Sequence, residues 1–178
     1  MKKFLKKIAY GLLGLLVILF IISLLLPTQQ RVEASVKINA PVQLAFNEVN
    51  DLRNWESWSP WKTMDPMIEL SYSNPPSGAG AFMNWKSIDP RIGNGKLILV
   101  EVIPNNKIVT AMDFEGRQNS SAEFLFEEEK NDVKVTWGMT HHIGRNPIGK
   151  YTMLFRKGAL RKMFQRGLVS IKVKLETR

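Results

Sequence analysis

Few residues in this chain could do chemistry. Two histidines stand side by side at His141 and His142, and two acids alternate with apolar residues in Met112-Asp113-Phe114-Glu115. Cysteine is absent, which removes thiol catalysis and thiolate metal sites. A hydrolase needs a nucleophile, a base and a group that orients the base. Neighbours on a strand point to opposite faces, so the two histidines cannot share one metal without distortion, and no third ligand follows at a helpful spacing. They read as a solvent-exposed pair at a strand end, and no metal or cofactor is expected. Gly78-x-Gly80 and Gly93-x-Gly95 lack the further glycines and the strand-turn-helix setting of a nucleotide loop, so they read as turns. Cyclase-type chemistry remains, because a shaped cavity with one well-placed acid or base suffices for it. Asp113 or Glu115, turned inward, would supply that group. Polar outward positions on a half-buried strand explain the same two residues more simply.

Whatever these residues do, strands and helices must position them. From Leu160 to Leu175 the apolar residues Leu160, Met163, Phe164, Gly167, Leu168, Ile171 and Leu175 recur at three-and-four spacing, the mark of one helix face. Such a stripe is not stable alone in water and must lie on something, most simply the concave side of a sheet. The rest of the chain supplies the sheet. Val32, Ala34, Val36 and Ile38 alternate with polar residues as a half-buried strand. Asn39-Ala40-Pro41 then opens a helix, with the proline at its first turn, and Val42, Ala45, Phe46, Val49 and Leu52 form its inner face. Further strands are expected at 68–73, 81–87, 96–103, 107–115, 122–128 and 133–141, separated by turn-forming residues. Asn146-Pro147 begins a helical segment that Gly158 is expected to kink before the long helix. Helix and sheet could enclose either an ordinary core or a ligand pocket.

Between the first helix and the meander lies Asn54-Trp55-Glu56-Ser57-Trp58-Ser59-Pro60-Trp61. Three indoles so close together carry a large apolar area and three N–H groups that need partners if buried. They could plug one end of the sheet, form the rim of a pocket, or sit in a belt at the lipid headgroups.

The other end of the chain is organised by a bilayer. Ile8–Leu26 contains no charge, and about 20 apolar residues cross the hydrocarbon core. The apolar part of a cleaved signal is shorter, about 7 to 15 residues, and Leu26-Pro27-Thr28-Gln29-Gln30 offers no small-x-small cleavage site. Residues 1–26 therefore read as a cytoplasmic lysine flank and an uncleaved anchor, 27–30 as a short linker, and 31–178 as the folded domain. Lys2, Lys3, Lys6 and Lys7 should hold the N-terminus in the cytoplasm, leaving the domain outside the cell (inner) membrane.

The net charge is +9, and nine basic residues lie between Lys150 and Arg178 against one acid, Glu176. That face is either a solvated helix surface or a seat for anionic lipid headgroups. Nucleic acid is not an expected partner, since no module that reads it is present. No protein partner is indicated.

The pattern resembles the helix-grip domains of the START-like (SRPBCC) superfamily, and within it the polyketide cyclase/dehydrase and lipid-transport group. The resemblance covers Arg31 to Glu176. It rests on Ile38-Asn39-Ala40-Pro41, on the Trp55–Trp61 motif, on Gly78-Ala79-Gly80 leading to Trp85, and on Val135-Thr136-Trp137 with Phe164-Gln165-Arg166-Gly167-Leu168. It implies an α+β fold, a curved antiparallel sheet around a long C-terminal helix, with a cavity between them for a lipid or other hydrophobic small molecule. It carries over no catalytic residue. The inward positions expected to line that pocket are Trp85, Met112, Phe114, Trp137, Met139, Phe164 and Leu168, with Trp55, Trp58 and Trp61 at its rim. The alternatives are an enzyme acting on such a ligand and a pocketless envelope or partner-binding module.

Overall fold

Alternating apolar residues build one sheet. In the computed structural model, which describes residues 2–114 and 120–177, seven strands are found among the described residues. They are β1 (Gln29–Ile38), β2 (Glu69–Tyr72), β3 (Phe82–Lys86), β4 (Gly95–Ile103), β5 (Lys107–Phe114), β6 (Ser120–Glu129) and β7 (Asp132–His142), in the order β1-β7-β6-β5-β4-β3-β2. From β2 to β7 each strand runs antiparallel to the next, as expected of a meander joined by short turns. The helices are α1 (Lys2–Leu25), α2 (Val42–Asn50), α3 (Trp55–Trp58), α4 (Pro60–Met64) and α5 (Pro147–Glu176), with a 3₁₀ turn at Leu52–Asn54. This is the α+β architecture expected from the sequence.

Two details differ from that expectation. Pro41 stands one residue before the helix, with an extended ψ of 141°, and α2 begins at Val42. The segment beginning at Asn146-Pro147 and the C-terminal helix form one element, because Gly158 costs a helix some stability without breaking its hydrogen bonds. Glu115 lies outside the described residues.

The chain divides into two compact units. One comprises Arg31–His141 and Ala159–Arg178. Its core is the inner face of the sheet, the apolar face of α2 and the C-terminal part of α5, where Phe164, Leu168, Ile171 and Leu175 are all buried. Glu48 of α2, also buried, pairs with Lys174 of α5 at 2.5 Å, and the Lys174 ammonium donates to the Ser57 hydroxyl at 2.9 Å. That buried charge therefore has an opposite charge beside it. The Asn39 N–H donates to Glu176 at 2.7 Å, tying the far end of α5 to the end of β1.

The other unit comprises Met1–Gln30 and His142–Gly158. Within it, the 20 residues Lys6–Leu25 are long and apolar enough to cross a membrane. The last carbonyls of a helix have no partner inside it. Here the Lys150 ammonium takes two, donating to the carbonyls of Ser23 and Leu26 at 2.8 Å each. The Tyr151 hydroxyl donates to the Leu19 carbonyl at 2.7 Å, and the Ile143 and Gly144 N–H groups donate to that of Thr28.

Candidate functional site

The tryptophan motif folds into two short helices separated by Ser59, whose extended backbone (ψ 131°) turns α3 into α4. Trp55 and Trp58 are buried, and their N–H groups donate to the Val49 and Glu48 carbonyls of α2 at 2.9 and 3.1 Å. Their donors are satisfied, so these two indoles are core plugs and no headgroup belt describes them, while the Trp55 ring also borders a cavity, as expected of a rim residue. Trp61 differs. It is half-buried and stacks on Trp55 at 6.4 Å with its ring nearly parallel.

Beneath α5 the interior is solid. Trp137 stacks between Phe124 at 4.9 Å and Phe164 at 4.5 Å, and the rings of Trp55, Trp58 and Trp61 meet it edge-on. Gly167 permits this closeness, since a Cβ there would come within 2.9 Å of the Trp137 ring. Four of the seven expected pocket residues, Trp137, Met139, Phe164 and Leu168, are therefore buried packing and lie off the cavity wall. Ring-on-ring contact between sheet and helix fills the space expected to hold a ligand.

The cavity lies further along the same face, over β2–β5 and under α4. Its floor is two cross-strand rows. Leu70 pairs with Trp85, whose other neighbour Gly95 pairs with Phe114; Met83 pairs with Leu97, which pairs with Met112. Gly95 matters here because a Cβ would overlap the Trp85 ring, which lies across that position. Trp55, Ser59, Trp61, Lys62 and Ile68 close the other side. The half-buried residues Trp61, Lys62, Leu70 and Phe114 form its solvent side.

Thus Trp85, Met112 and Phe114 line the cavity, while Met83, Leu97, Leu70 and Lys62 join them unanticipated. Met83 was within reach of the sequence, being two residues from Trp85 and so on its face of the strand. Leu70 and Leu97 needed the register, and Lys62 needed the fold of α4.

The volume open to water-sized occupants is about 30 Å³, room for one or two waters, whereas small-molecule sites enclose roughly 300–1,000 Å³. The wall is apolar but carries one unusual feature. The Trp85 N–H is buried and has no hydrogen-bond partner, and the same is true of Trp137 within the packed cluster. An orphaned buried donor is costly, and polar groups in this position usually have a protein or water partner.

The cover over the cavity is tied down at several points. The Tyr72 hydroxyl of β2 donates to Glu56 of α3 at 2.6 Å. Burial, then this carboxylate, push its ionisation well above the usual phenol range, so it stays a neutral strut. Asp65, buried just after α4, accepts from the Ser87 hydroxyl at 2.5 Å and from the Met67 N–H. The Lys62 ammonium reaches the Ile68 carbonyl at 3.5 Å.

Asp113 is exposed on the opposite face of the sheet. There it borders a shallow groove of about 330 Å³ with Ser71, Asn84, Lys86 and Lys96, a solvated polar surface. Among the described residues, the cavity wall holds no carboxylate or imidazole. His142 is exposed and His141 half-buried, and the described residues include no cluster of three or more His, Cys, Asp or Glu able to hold a metal.

Solved structures share this fold at low identity. KanY matches with a TM-score of 0.62 and 14% identity over 83% of this chain and 98% of its own. The Aha1 dimer structure from Colwellia psychrerythraea matches with a TM-score of 0.59 and 15% identity, over 83% of this chain and 96% of that one. DynU16, a protein of the dynemicin biosynthetic locus, matches with a TM-score of 0.58 and 18% identity over 83% of this chain, which spans only 47% of DynU16. No curated protein matches. The profile of the polyketide cyclase / dehydrase and lipid transport family, by contrast, matches residues 29–176, and the chain belongs to that family.

Proposed function

We propose that this protein is a single-pass membrane protein whose domain binds a hydrophobic small molecule or lipid in the cavity between β2–β5 and α4. The observation that carries this reading is the continuous apolar wall of Met83, Trp85, Leu97, Met112 and Phe114, one member of which, Trp85, has a buried N–H with no hydrogen-bond partner. A ligand with an apolar body and one acceptor oxygen matches both features. Burying the body contributes about 25 cal/mol per Å² removed from water, and the oxygen gives Trp85 its missing partner. The family's lipid-transport description and the 20-residue apolar span of α1 point the same way.

At about 30 Å³ the cavity must widen to admit such a ligand. Trp61 is the residue best suited to move, because it is half-buried and stacks on Trp55, whereas Trp55 and Trp58 are pinned to α2 by hydrogen bonds. Swinging Trp61 outward would open the space over Trp85 and give up its edge-on contact with Trp137, while the stack of Trp137 between Phe124 and Phe164 stays in place. The lysine flank ahead of α1 favours a cytoplasmic N-terminus with the domain on the opposite side of the membrane.

The test is native mass spectrometry of the full chain released gently from lipid nanodiscs, followed by organic extraction. A retained apolar mass is expected, and Met112→Trp, which fills the cavity, should abolish it while leaving the far-ultraviolet circular dichroism unchanged. The tight stacking of Trp137 on Phe164 favours a second reading, a closed domain that serves only to bind a protein partner. A bare protein that also fails to take up added lipid would select that reading.

A further inference from the structure

The unit that contains α1 has an apolar surface of its own. On α5, Ile148, Tyr151 and Phe155 fall at i, i+3 and i+7 and so share one helix face. Ile148 is 74% exposed and Phe155 is 84% exposed, far more than an apolar face of a soluble helix would leave open. Between them, Tyr151 donates its hydroxyl to the Leu19 carbonyl of α1. Leu19 is six residues before the end of α1 at Leu25, roughly 9 Å along the axis at 1.5 Å per residue. Since the apolar span runs on to Leu25, this places the Tyr151 hydroxyl on the acyl side of the acyl–headgroup boundary near which tyrosine is enriched. One residue earlier, Lys150 caps the end of α1 through Ser23 and Leu26.

The charge of this segment fits the same surroundings. From His142 to Gly158 the sequence carries Arg145, Lys150, Arg156 and Lys157 and no acid. Arg145, Arg156 and Lys157 are exposed. Exposed apolar side chains interleaved with basic ones are the composition of helices that lie in a membrane interface.

Resting on the reading that α1 spans the bilayer, we infer that Ile148 and Phe155, flanked by Arg145, Arg156 and Lys157, seat the first turns of α5 in the acyl–headgroup boundary of that same bilayer. The chain would then hold the membrane at two places, by a span and by a surface helix hydrogen-bonded to its exit end. The absence of cysteine makes a direct test clean. Single variants Leu16→Cys, Ile148→Cys and Phe155→Cys of the full chain carry a nitroxide label in phosphatidylcholine vesicles with and without phosphatidylglycerol. Collisions of each label with oxygen, and with a water-soluble nickel complex, are compared with those of the label on free cysteine in buffer.

The expected order of the oxygen-to-nickel ratio is Leu16 highest, then Ile148 and Phe155, all above the free label, with the latter two rising when phosphatidylglycerol is added. Phe155→Asp should pull the Ile148 label toward water. Lipid-like values at Leu16 with water-like values at Ile148 and Phe155 in both vesicle types would overturn the inference and leave the anchor intact. A water-like value at Leu16 would overturn the anchor, and the inference with it.

Discussion

Two regions of one sheet face behave differently. Under α5, Trp137 is clamped between Phe124 and Phe164 and no space is left; over β2–β5, Trp85 borders a gap and keeps a free N–H. Both regions arise from the same alternation of large apolar residues on inward positions. What separates them is their cover. The long helix can press onto Trp137 because Gly167 presents no side chain, whereas the five-residue helix α4 covers the cavity with Trp61 and Lys62, which are half-buried and do not fill the space. An inward apolar residue therefore becomes core or cavity wall according to how closely the opposite layer approaches.

Substitutions can break this contrast. Phe164→Ala should cost about 3–5 kcal/mol, because a buried ring is removed from a close-packed cluster that cannot collapse. Met112→Ala should cost about 2 kcal/mol, the low end for its type, since its neighbours already border a gap. Chemical denaturation of the two variants side by side measures the difference, and equal losses would erase the distinction between the regions. Next in size is the approach of the helix. Gly167→Leu should destabilise by about 1–3 kcal/mol by wedging α5 away from Trp137, while the comparable enlargement Leu97→Phe, at the cavity, should cost less than about 1.5 kcal/mol. Thermal unfolding of both reports the sign and order.

The smallest effect concerns the two orphaned donors. Trp85→Phe should weaken binding of an acceptor-bearing apolar ligand by up to about tenfold, the loss of one hydrogen bond of about 0.5–1.5 kcal/mol. Trp137→Phe should leave that affinity unchanged, because its N–H lies in the packed cluster away from the cavity. A titration with the ligand recovered by extraction distinguishes them, and equal weakening would mean that the ligand does not contact Trp85.

Much of the fold was legible in order. The alternation at Val133, Val135, Trp137 and Met139 and the helical stripe at Phe164, Leu168 and Ile171 each identify an element and its buried face, because periodicity records which side avoids water. The candidate site was legible only in part. Trp85, Met112 and Phe114 could be assigned to an inner face from their strands alone, but nothing local separates them from Trp137 on the inner face of its own strand or Phe164 on the helix stripe, which have the same apolar character. Leu70 and Leu97 enter the site through pairing with Trp85 and Met83, a matter of register between segments distant in sequence. Likewise, nothing near Lys150 in the chain foretells that its ammonium closes the end of α1, more than a hundred residues earlier.

The sequence by itself determined the apolar span, the elements and their buried faces, since these depend on residues a few positions apart and on the burial of apolar surface. Tertiary structure alone decided where the interior is solid and where it is open, which indole N–H groups find partners, and which basic side chain caps the apolar helix α1. Those outcomes depend on the distance between layers and on contacts between remote segments. A shift of one side chain's width turns a packed core into a cavity, and no local pattern encodes it.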